Sequence, residues 1–197
     1  MDIAPVTTDF FAEYTSEYVQ VYAEAMKDAF NYSANNYAVS VMWRNDTLLD
    51  GFMGYECLDS LNPGDEPELA GFVYGINATV DHSWNFMIRN VFARRGILEQ
   101  WIDVLENSFQ IAELHVLPQY QGRGIGKRLM IEILHQVDRP YAILSTPEST
   151  DESTSAFRLY RKLGFKDFAR DFTFPLDSRT FALLYVDIEQ FKKDFPL

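Results

Sequence analysis

Apolar positions along the chain follow two different periods, and the alternation of these periods predicts the order of helices and strands. A helical period of about 3.6 residues marks amphipathic segments at 11–30, 35–44, 128–137 and 153–163. Short apolar runs bounded by turn residues predict strands at 51–58, 69–80, 109–117 and 141–146. Residues 83–105 mix apolar and charged positions and predict a helix that breaks near Gly96.

Turn residues between these segments predict how they connect. The run "NPGDEPE" joins the first two strands as a hairpin, and the turn "PLDSR" joins two final strands, "FKDFARDFTF" and "TFALLYVDI". Gly164 is a natural end for the helix over 153–163. The later half therefore runs strand, helix, strand, helix, strand, strand, an α/β order in which 109–117 and 141–146 are parallel neighbours.

Composition and charge exclude some classes of protein. The length of 197 residues suits one domain, and we expect residues 1–197 to form it. Apolar residues make up 47% of the chain and aromatic residues 15%, which supports a sizeable core and excludes disorder. The formal net charge of -12 argues against a nucleic-acid partner, which requires a basic face, and is compatible with a cationic amine substrate.

Cysteine and histidine usage gives no sign of a metal. Cys57 is the single cysteine, so the chain cannot form an internal disulfide or a cysteine metal cluster, and its three histidines are far apart. The N-terminus lacks the pattern of a signal peptide, and no apolar run approaches the ~18 residues that span a bilayer. We therefore expect a cytoplasmic protein with no metal and no membrane partner.

The stretch "QYQGRGIGKRLM" gathers positive charge around three glycines, between a predicted strand and a predicted helix. Backbone amides of a first helical turn have no partner within the helix, and together with the helix dipole they form an anion site. Arg123, Lys127 and Arg128 add positive charge, with no acidic residue over 119–131. Cations at a helix N-terminus oppose the dipole, so a bound polyanion explains them better than helix stability does.

Other interpretations of this loop differ in how well they fit. A tight turn without a ligand would need the glycines but would leave the cations unexplained. The P-loop pattern fails, because the glycines are one residue too close and Arg128 occupies the place of the magnesium-binding Ser or Thr. The dinucleotide pattern G-x-G-x-x-G fails on glycine spacing. A nucleotide-binding protein is therefore disfavoured.

The segment "LHVLPQYQGRGIGKRLM" resembles the acyl-CoA signature of the GNAT superfamily of N-acetyltransferases. The family core Q/R-x-x-G-x-G/A is met by Gln121, Gly122, Arg123, Gly124, Ile125 and Gly126. In that family the loop amides hold the pyrophosphate of coenzyme A, and the preceding strand pairs its backbone with the pantetheine arm. The resemblance implies cofactor contacts from Leu114, His115 and Val116 and from Gly122 through Lys127.

The segment "STSAFRLYRKLGFK" resembles a second hallmark of the family, a helix ending in Tyr-x-x-x-Gly-Phe that leads into a strand. Tyr160, Gly164 and Phe165 occupy these places, and the resemblance covers about residues 108–170. Ser153 replaces an Asn that often contacts the cofactor arm; it can cap the helix and still donate a hydrogen bond.

The fold that the resemblance implies is α/β (α+β), the GNAT fold. Its central sheet is mixed and mostly antiparallel, with about six or seven strands and a splayed parallel pair at the cofactor site. Helices flank this sheet.

The chemistry that the resemblance implies is direct acetyl transfer from acetyl-CoA to an amine, without a covalent enzyme intermediate. Tyr160 is the candidate general acid for the leaving thiolate, and its alternative role is a core aromatic. The backbone amide of Val116 would polarise the thioester carbonyl. Glu113 and His115 have the same parity on one strand and are predicted to share a face. They are candidate bases, with a structural sheet histidine as the alternative role of His115. Bases of the family often lie further back on this strand, where Gln110 cannot titrate, so ordered water is the alternative base.

Two functions are therefore predicted. The first is an acetyl-CoA-dependent N-acetyltransferase acting on a small-molecule or peptide amine. The alternative is a non-catalytic acyl-CoA-binding sensor or partner module on the same fold. The aromatic-rich C-terminal hairpin "FTFPLDSRTFALLYV" could pair with a second subunit to form a homodimer.

Overall fold

The structure is a computed structural model that describes residues 1–30, 35–175, 177 and 179–197. Its helices α1 to α8 span Thr8–Glu13, Thr15–Phe30, Asn36–Asp46, Ser83–Arg95, Leu98–Glu106, Ile125–Gln136, Ser155–Lys162 and Ile188–Asp194. Its strands β1 to β7 span Asp2–Val6, Met53–Asp59, Glu68–Asn77, Ser108–Val116, Tyr141–Pro147, Lys166–Phe172 and Phe181–Asp187.

The strands are hydrogen-bonded in the order β1-β2-β3-β4-β5-β7-β6 as a seven-stranded sheet. β1 with β2, β2 with β3, β5 with β7 and β6 with β7 pair antiparallel. β4 and β5 pair parallel, with Ser108 opposite Tyr141 and Gln110 opposite Ile143. The predicted mixed, mostly antiparallel sheet and its parallel pair are thus confirmed.

Contacts within the chain divide it into two compact units. The first unit comprises Met1–Ile76 and Ile111–Gln136, and the second comprises Asn77–Gln110 and Val137–Leu197. The strand β4 contributes to both, because its first three residues belong to the second unit and the remainder to the first.

The core of the first unit is built from aromatic side chains. Phe11, Tyr18, Trp43, Phe72 and Tyr74 are all almost completely buried. Phe11 stacks on Tyr18 with ring centroids 4.4 Å apart, and Trp43 meets Tyr74 edge-on at 5.6 Å. Edge-on and offset ring pairs are favoured by the ring quadrupole, so this cluster fixes α1, α2 and α3 on β2 and β3.

The core of the second unit lies between the helices α4 and α5 and the sheet. Its buried members are Ala78, Ile88, Phe92, Val104, Leu105, Ile143, Phe168, Phe172 and Leu183. Gly96 ends α4 in the left-handed conformation with φ 68°, where its amide reaches the carbonyl of Ala93. The predicted helix over 83–105 and its break at Gly96 are therefore confirmed.

The structure differs from the sequence-based expectation mainly at the ends of elements. α6 begins at Ile125, three residues before the predicted start, because the helix takes in the last part of the glycine loop. The strand β1 and the helix α8 were not predicted from the sequence. The predicted turn "PLDSR" includes Leu176 and Ser178, which lie outside the described residues.

Gly71 in β3 lies where a side chain has no room. A Cβ atom built there would be 2.7 Å from the carbonyl oxygen of His115 and 3.1 Å from Cγ2 of Val116. We expect Gly71→Ala to lower the free energy of unfolding by about 1–3 kcal/mol, because the backbone of β4 must move. Gly54→Ala in β2 is the matched control, since its nearest contacts are at 3.7 Å. Equal stability of the two variants in urea denaturation would contradict this prediction.

Candidate active site

The glycine loop of the first unit forms an open backbone cradle. Gly122 and Gly124 have φ of 77° and 84°, a region that favours glycine. A Cβ atom added to either would meet nothing within 4 Å. The amide of Arg128 donates to the carbonyl of Gly124 at 3.1 Å, so the amides of Ile125 and Gly126 precede the first intrahelical bond of α6. The cradle therefore presents backbone donors, free of side-chain bulk, at a helix N-terminus.

The loop is tied back to the strand that precedes it. The side-chain amide of Gln121 donates to the carbonyl of Val116 at 3.3 Å. Ile125 is buried and anchors the start of α6, whereas Lys127 and Arg128 lie exposed on its first turn. The sequence-predicted cofactor contacts on β4 and on the loop therefore belong to one continuous part of the first unit.

Arg123 has an acidic partner that the local sequence does not contain. Its Nη2 is 3.1 Å from Oδ2 of Asp59, a carboxylate at the end of β2, and its Nη1 donates to the carbonyl of Ser60 at 3.1 Å. The guanidinium also lies 5.4 Å from the centre of the Tyr120 ring. Arg123 thus forms an ion pair with Asp59, whereas the local sequence predicted a cation without an acidic partner.

Tyr120 comes directly before the glycine loop, and hydrogen bonds hold its side chain in place. Its hydroxyl donates to Oε1 of Glu68 at 2.8 Å and lies 3.2 Å from the carbonyl oxygen of Asp59. Burial and the hydrogen bond to Glu68 raise the pKa of Tyr120 to about 12. The hydroxyl therefore stays protonated at neutral pH and keeps its donor role.

Glu113 and His115 form a hydrogen-bonded pair on β4. Nε2 of His115 is 2.7 Å from Oε2 of Glu113, with side-chain exposures of 12% and 23% respectively. A carboxylate only accepts, so the imidazole N–H at Nε2 is the donor in this hydrogen bond. The prediction that the two side chains share a face is confirmed.

The His115 ring is held by aromatic neighbours from α2 and β3. Tyr22 meets it edge-on with centroids 4.9 Å apart, and Phe72 lies at 5.7 Å. Tyr22 also meets Trp43 edge-on at 5.4 Å. Sequence reasoning did not identify Tyr22 as a neighbour of His115; its only signal was a place on the apolar face of the first predicted helix.

Tyr160 lies on α7 in the second unit and is 7% exposed. Its carbonyl accepts from the amide of Phe165 at 3.0 Å, and the two rings are 5.8 Å apart. Gly164 has φ of 84° and ends the helix, as predicted. The motif Tyr-x-x-x-Gly-Phe is thus a single compact structure in which ring and backbone contacts hold Tyr160.

Ser153 does not cap α7. The N-cap is Thr154, whose Oγ1 accepts from the amide of Phe157 at 3.2 Å. Ser153 instead follows a short 3₁₀ turn and donates its amide to the carbonyl of Thr150. The suggested capping role was therefore wrong by one residue, because Ser, Thr and Ser follow one another here and each is a good cap.

An ion-pair network fixes the loop 148–154 that leads into α7. Nη2 of Arg161 is 2.6 Å from Oε1 of Glu152, and Nε of Arg170 is 2.8 Å from Oε1 of Glu148. The hydrogen bond from Arg161 lowers the pKa of Glu152 below its ordinary value. No local sequence pattern indicates this network, because its members come from three separate elements.

The predicted site residues divide between the two units. Glu113, the β4 contacts and the glycine loop belong to the first, whereas Ser153 and Tyr160 belong to the second. Among the described residues, no group of three or more His, Cys, Asp or Glu side chains could hold a metal ion. Over the same part of the chain, no helix is both long and apolar enough to cross a membrane.

Comparisons with known proteins agree with this geometry. The model of a family described as an acetyltransferase (GNAT) domain matches residues 68–167. A GCN5-like protein acetyltransferase of Mycobacterium tuberculosis is 38% identical over 117 residues, which cover 59% of this chain. The match spans 57% of the length of that relative.

Solved structures share the fold at lower identity. NAA60 of Arabidopsis thaliana in complex with acetyl-CoA has a TM-score of 0.59 and 18% identity, covering 95% of this chain and 98% of that one. Mutant forms of the spermidine/spermine N-acetyltransferase SpeG from Vibrio cholerae have a TM-score of 0.57 and 12% identity, covering 98% and 96%. These similarities show the fold alone.

Proposed function

Because the chain belongs to the GNAT family of acetyltransferases, we propose that it transfers an acetyl group from acetyl-CoA to a primary amine. The observation that carries this proposal is the glycine cradle at the start of α6. Its sequence fits the acyl-CoA signature, and its left-handed glycines leave open space beside backbone donors. Phosphate groups bind well at such helix N-termini.

The residues of the first unit suit the binding of coenzyme A. We propose that the amides from Gly122 to Lys127 hold its pyrophosphate, and that the backbone of Leu114, His115 and Val116 pairs with its pantetheine arm. When bound, acetyl-CoA supplies the acetyl group as an activated thioester. The amide of Val116 donates to the thioester carbonyl and stabilises the negative charge that develops on its oxygen.

The proton transfers are assigned to three side chains. The attacking amine must be neutral, and the Glu113–His115 pair accepts its proton, directly or through ordered water. Tyr160 donates a proton to the sulfur as the carbon–sulfur bond breaks. A nitrogen–carbon bond forms, a thiol leaves, and no side chain is acylated. Contact of Ser153 with the cofactor arm stays a prediction.

The acceptor is proposed to be an amine of a peptide or protein or of a small molecule. The relative from Mycobacterium tuberculosis is named a protein acetyltransferase, and one structural neighbour is named a spermidine/spermine N-acetyltransferase. The net charge of -12 is compatible with a cationic acceptor. A single catalytic domain over residues 1–197, a cytoplasmic location and a homodimer stay predictions.

The proposal is tested by incubating the protein with acetyl-CoA and a panel of amines while free thiol is followed. The panel contains polyamines, amino acids, peptides and a basic protein. We expect thiol release that depends on one class of amine, with mass spectrometry showing a gain of one acetyl group on it. Silence across the panel together with retention of CoA would support the alternative, a non-catalytic acyl-CoA sensor. Silence with no CoA binding would exclude both functions.

Glu113→Gln is expected to lower kcat/KM for the amine by about tenfold at neutral pH, because the amide cannot hold His115 as a carboxylate does. CoA affinity should not change, since Glu113 contributes only its side chain here. Glu24→Gln, an exposed change on α2 in the same unit, is the matched control. An unchanged pH–rate profile in Glu113→Gln would exclude the pair as the base and favour ordered water.

A further inference from the structure

The hairpin formed by β2 and β3 ends on a pair of acidic residues. Asp59 stands opposite Glu68 as the last pair of this antiparallel ladder. Only 5% of Asp59 is exposed, and a buried carboxylate requires a compensating charge. Neither residue lies in the segments that resemble the hallmarks of the family. The partners of these two carboxylates therefore show what the end of the hairpin does.

Two contacts join this acidic pair to the start of the glycine loop. The hydroxyl of Tyr120 donates to Oε1 of Glu68 at 2.8 Å, and Nη2 of Arg123 is 3.1 Å from Oδ2 of Asp59. Nη1 of Arg123 also donates to the carbonyl of Ser60 at 3.1 Å. Each end residue of the hairpin therefore holds one side chain of the segment that begins the glycine loop.

The contact between Asp59 and Arg123 depends on charge. A hydrogen bond from the N-terminal ammonium of Met1, which is 3.0 Å from Oδ1, and the charge of Arg123 lower the pKa of Asp59 below its ordinary value. The carboxylate is therefore ionised at neutral pH. Oδ2 of Asp59 has no hydrogen-bond partner among the described residues, so it holds Arg123 as an ion pair without hydrogen-bond geometry. An asparagine at this position would not supply that attraction.

The glycine loop needs such an anchor because of its composition. Gly122 and Gly124 flank Arg123, and both have positive φ, of 77° and 84°. Glycine loses more conformational entropy on ordering than any other residue, so this loop is costly to hold in one conformation. Arg123 carries the side chain between the two glycines, and its guanidinium lies 5.4 Å from the centre of the Tyr120 ring. It is therefore the point at which the hairpin can fix the loop.

We propose that Asp59 is a positioning residue for coenzyme A, which holds Arg123 and thereby keeps the glycine cradle in its binding conformation before the cofactor arrives. This inference rests on the CoA-binding part of the proposed function. A loop that is already ordered loses less entropy on binding, so its affinity for the ligand is higher. In this role Asp59 needs no contact with the cofactor or with the reacting atoms. Its contribution therefore appears in the affinity for CoA and not in the chemical step.

The test measures CoA affinity by isothermal titration calorimetry for the wild type, Asp59→Asn, Arg123→Met and the double variant. We expect Asp59→Asn to raise the Kd for CoA by about 3- to 10-fold when Arg123 is present. In the Arg123→Met background the same change should alter the Kd by less than about twofold, because the side chain through which Asp59 acts is gone. Glu66→Gln, an exposed change in the loop between β2 and β3, is the matched control and should bind CoA as the wild type does.

Amide hydrogen exchange of the free protein separates this role from general stability. We expect the amides over 119–126 to exchange about 3- to 10-fold faster in Asp59→Asn than in the wild type, and saturating CoA should remove most of the difference. The amides of α2, in the same unit, should exchange as in the wild type. With a competent amine, KM for acetyl-CoA should rise while kcat at saturating acetyl-CoA stays within about twofold.

Equal effects of Asp59→Asn in the two backgrounds would overturn the inference and assign Asp59 to the stability of the hairpin. Tighter binding of CoA by Asp59→Asn would also overturn it, since Asp59 would then compete with phosphate for Arg123. A wild type that binds no CoA refutes the proposed function and this inference together. A wild type that binds CoA without acetylating an amine refutes acetyl transfer alone, and the affinities still decide the role of Asp59.

A second variant covers the case in which Asp59→Asn does not fold. Arg123 is exposed, so Arg123→Met removes the other partner of the ion pair without opening a cavity in the core. We expect the amides over 119–126 of free Arg123→Met to exchange faster than those of the wild type, by the same factor of about 3 to 10. Unchanged exchange over this range would contradict the role of the ion pair as an anchor.

Discussion

Gly124→Asp is expected to raise the Kd for CoA by at least about 100-fold, as measured by isothermal titration calorimetry. The new carboxylate would enter the open space beside Gly124, where a phosphate is proposed to bind, and would repel it. The positive φ of 84° adds about 1–2 kcal/mol of backbone strain for a residue with a side chain. Both effects act on the cradle, one through charge and one through geometry.

Two controls separate these causes. Gly64→Asp has the same strain, since φ there is 94° and a Cβ atom meets nothing within 4 Å, but Gly64 lies in the loop between β2 and β3. It should bind CoA as the wild type does. Gly124→Ala adds strain and bulk without charge, so its Kd for CoA should lie between those of the wild type and Gly124→Asp. Normal CoA binding by Gly124→Asp would show that the loop is a tight turn and not a phosphate site.

Tyr160→Phe is expected to lower kcat by about 10²- to 10³-fold while CoA still binds. The hydroxyl is the proposed proton donor to the leaving thiolate, and without it the sulfur must leave as an anion. The ring contact with Phe165 at 5.8 Å does not require the hydroxyl, so the fold should be kept. Steady-state kinetics with saturating acetyl-CoA measures the loss, and calorimetry checks the binding.

A second tyrosine serves as the matched control for this change. The hydroxyl of Tyr141, also in the second unit, donates to Oδ2 of Asp103 at 3.1 Å. Tyr141→Phe removes an equivalent hydroxyl and should keep full turnover, with a small loss of stability. An acyl donor with a better leaving group than CoA should restore much of the rate in Tyr160→Phe, because that leaving group can depart without being protonated. Full activity of Tyr160→Phe with acetyl-CoA would assign Tyr160 to the core.

The sequence predicted most of the regular elements because their signals are local. The helical period of 83–105 and the glycine at its break correspond to α4, Gly96 and α5. The strand β1 gave no such signal, because its five residues include Pro5 and it lies at the edge of the sheet beside β2. The helix α8 has seven residues, too few for a helical period to show.

Some features of the candidate site also follow from short segments of sequence, whereas others depend on contacts between residues that are far apart along the chain. The glycine loop with Gly122 and Gly124 and the motif that contains Tyr160 and Phe165 are short segments, and the sequence was sufficient to predict both. The partner of Arg123 was not predictable, because Asp59 is far away along the chain and no short-range pattern links the two.

The sequence by itself determined the family, the order of most strands and helices and the residues of the cofactor loop. These depend on backbone preferences and periodicities that act over a few residues. Only the tertiary structure decided that Asp59 pairs with Arg123, that Tyr22 packs on the ring of His115 and that Oε1 of Gln110 is buried with no hydrogen-bond partner among the described residues. Such facts depend on packing between distant segments, where shape and burial select the neighbours and no local pattern records them.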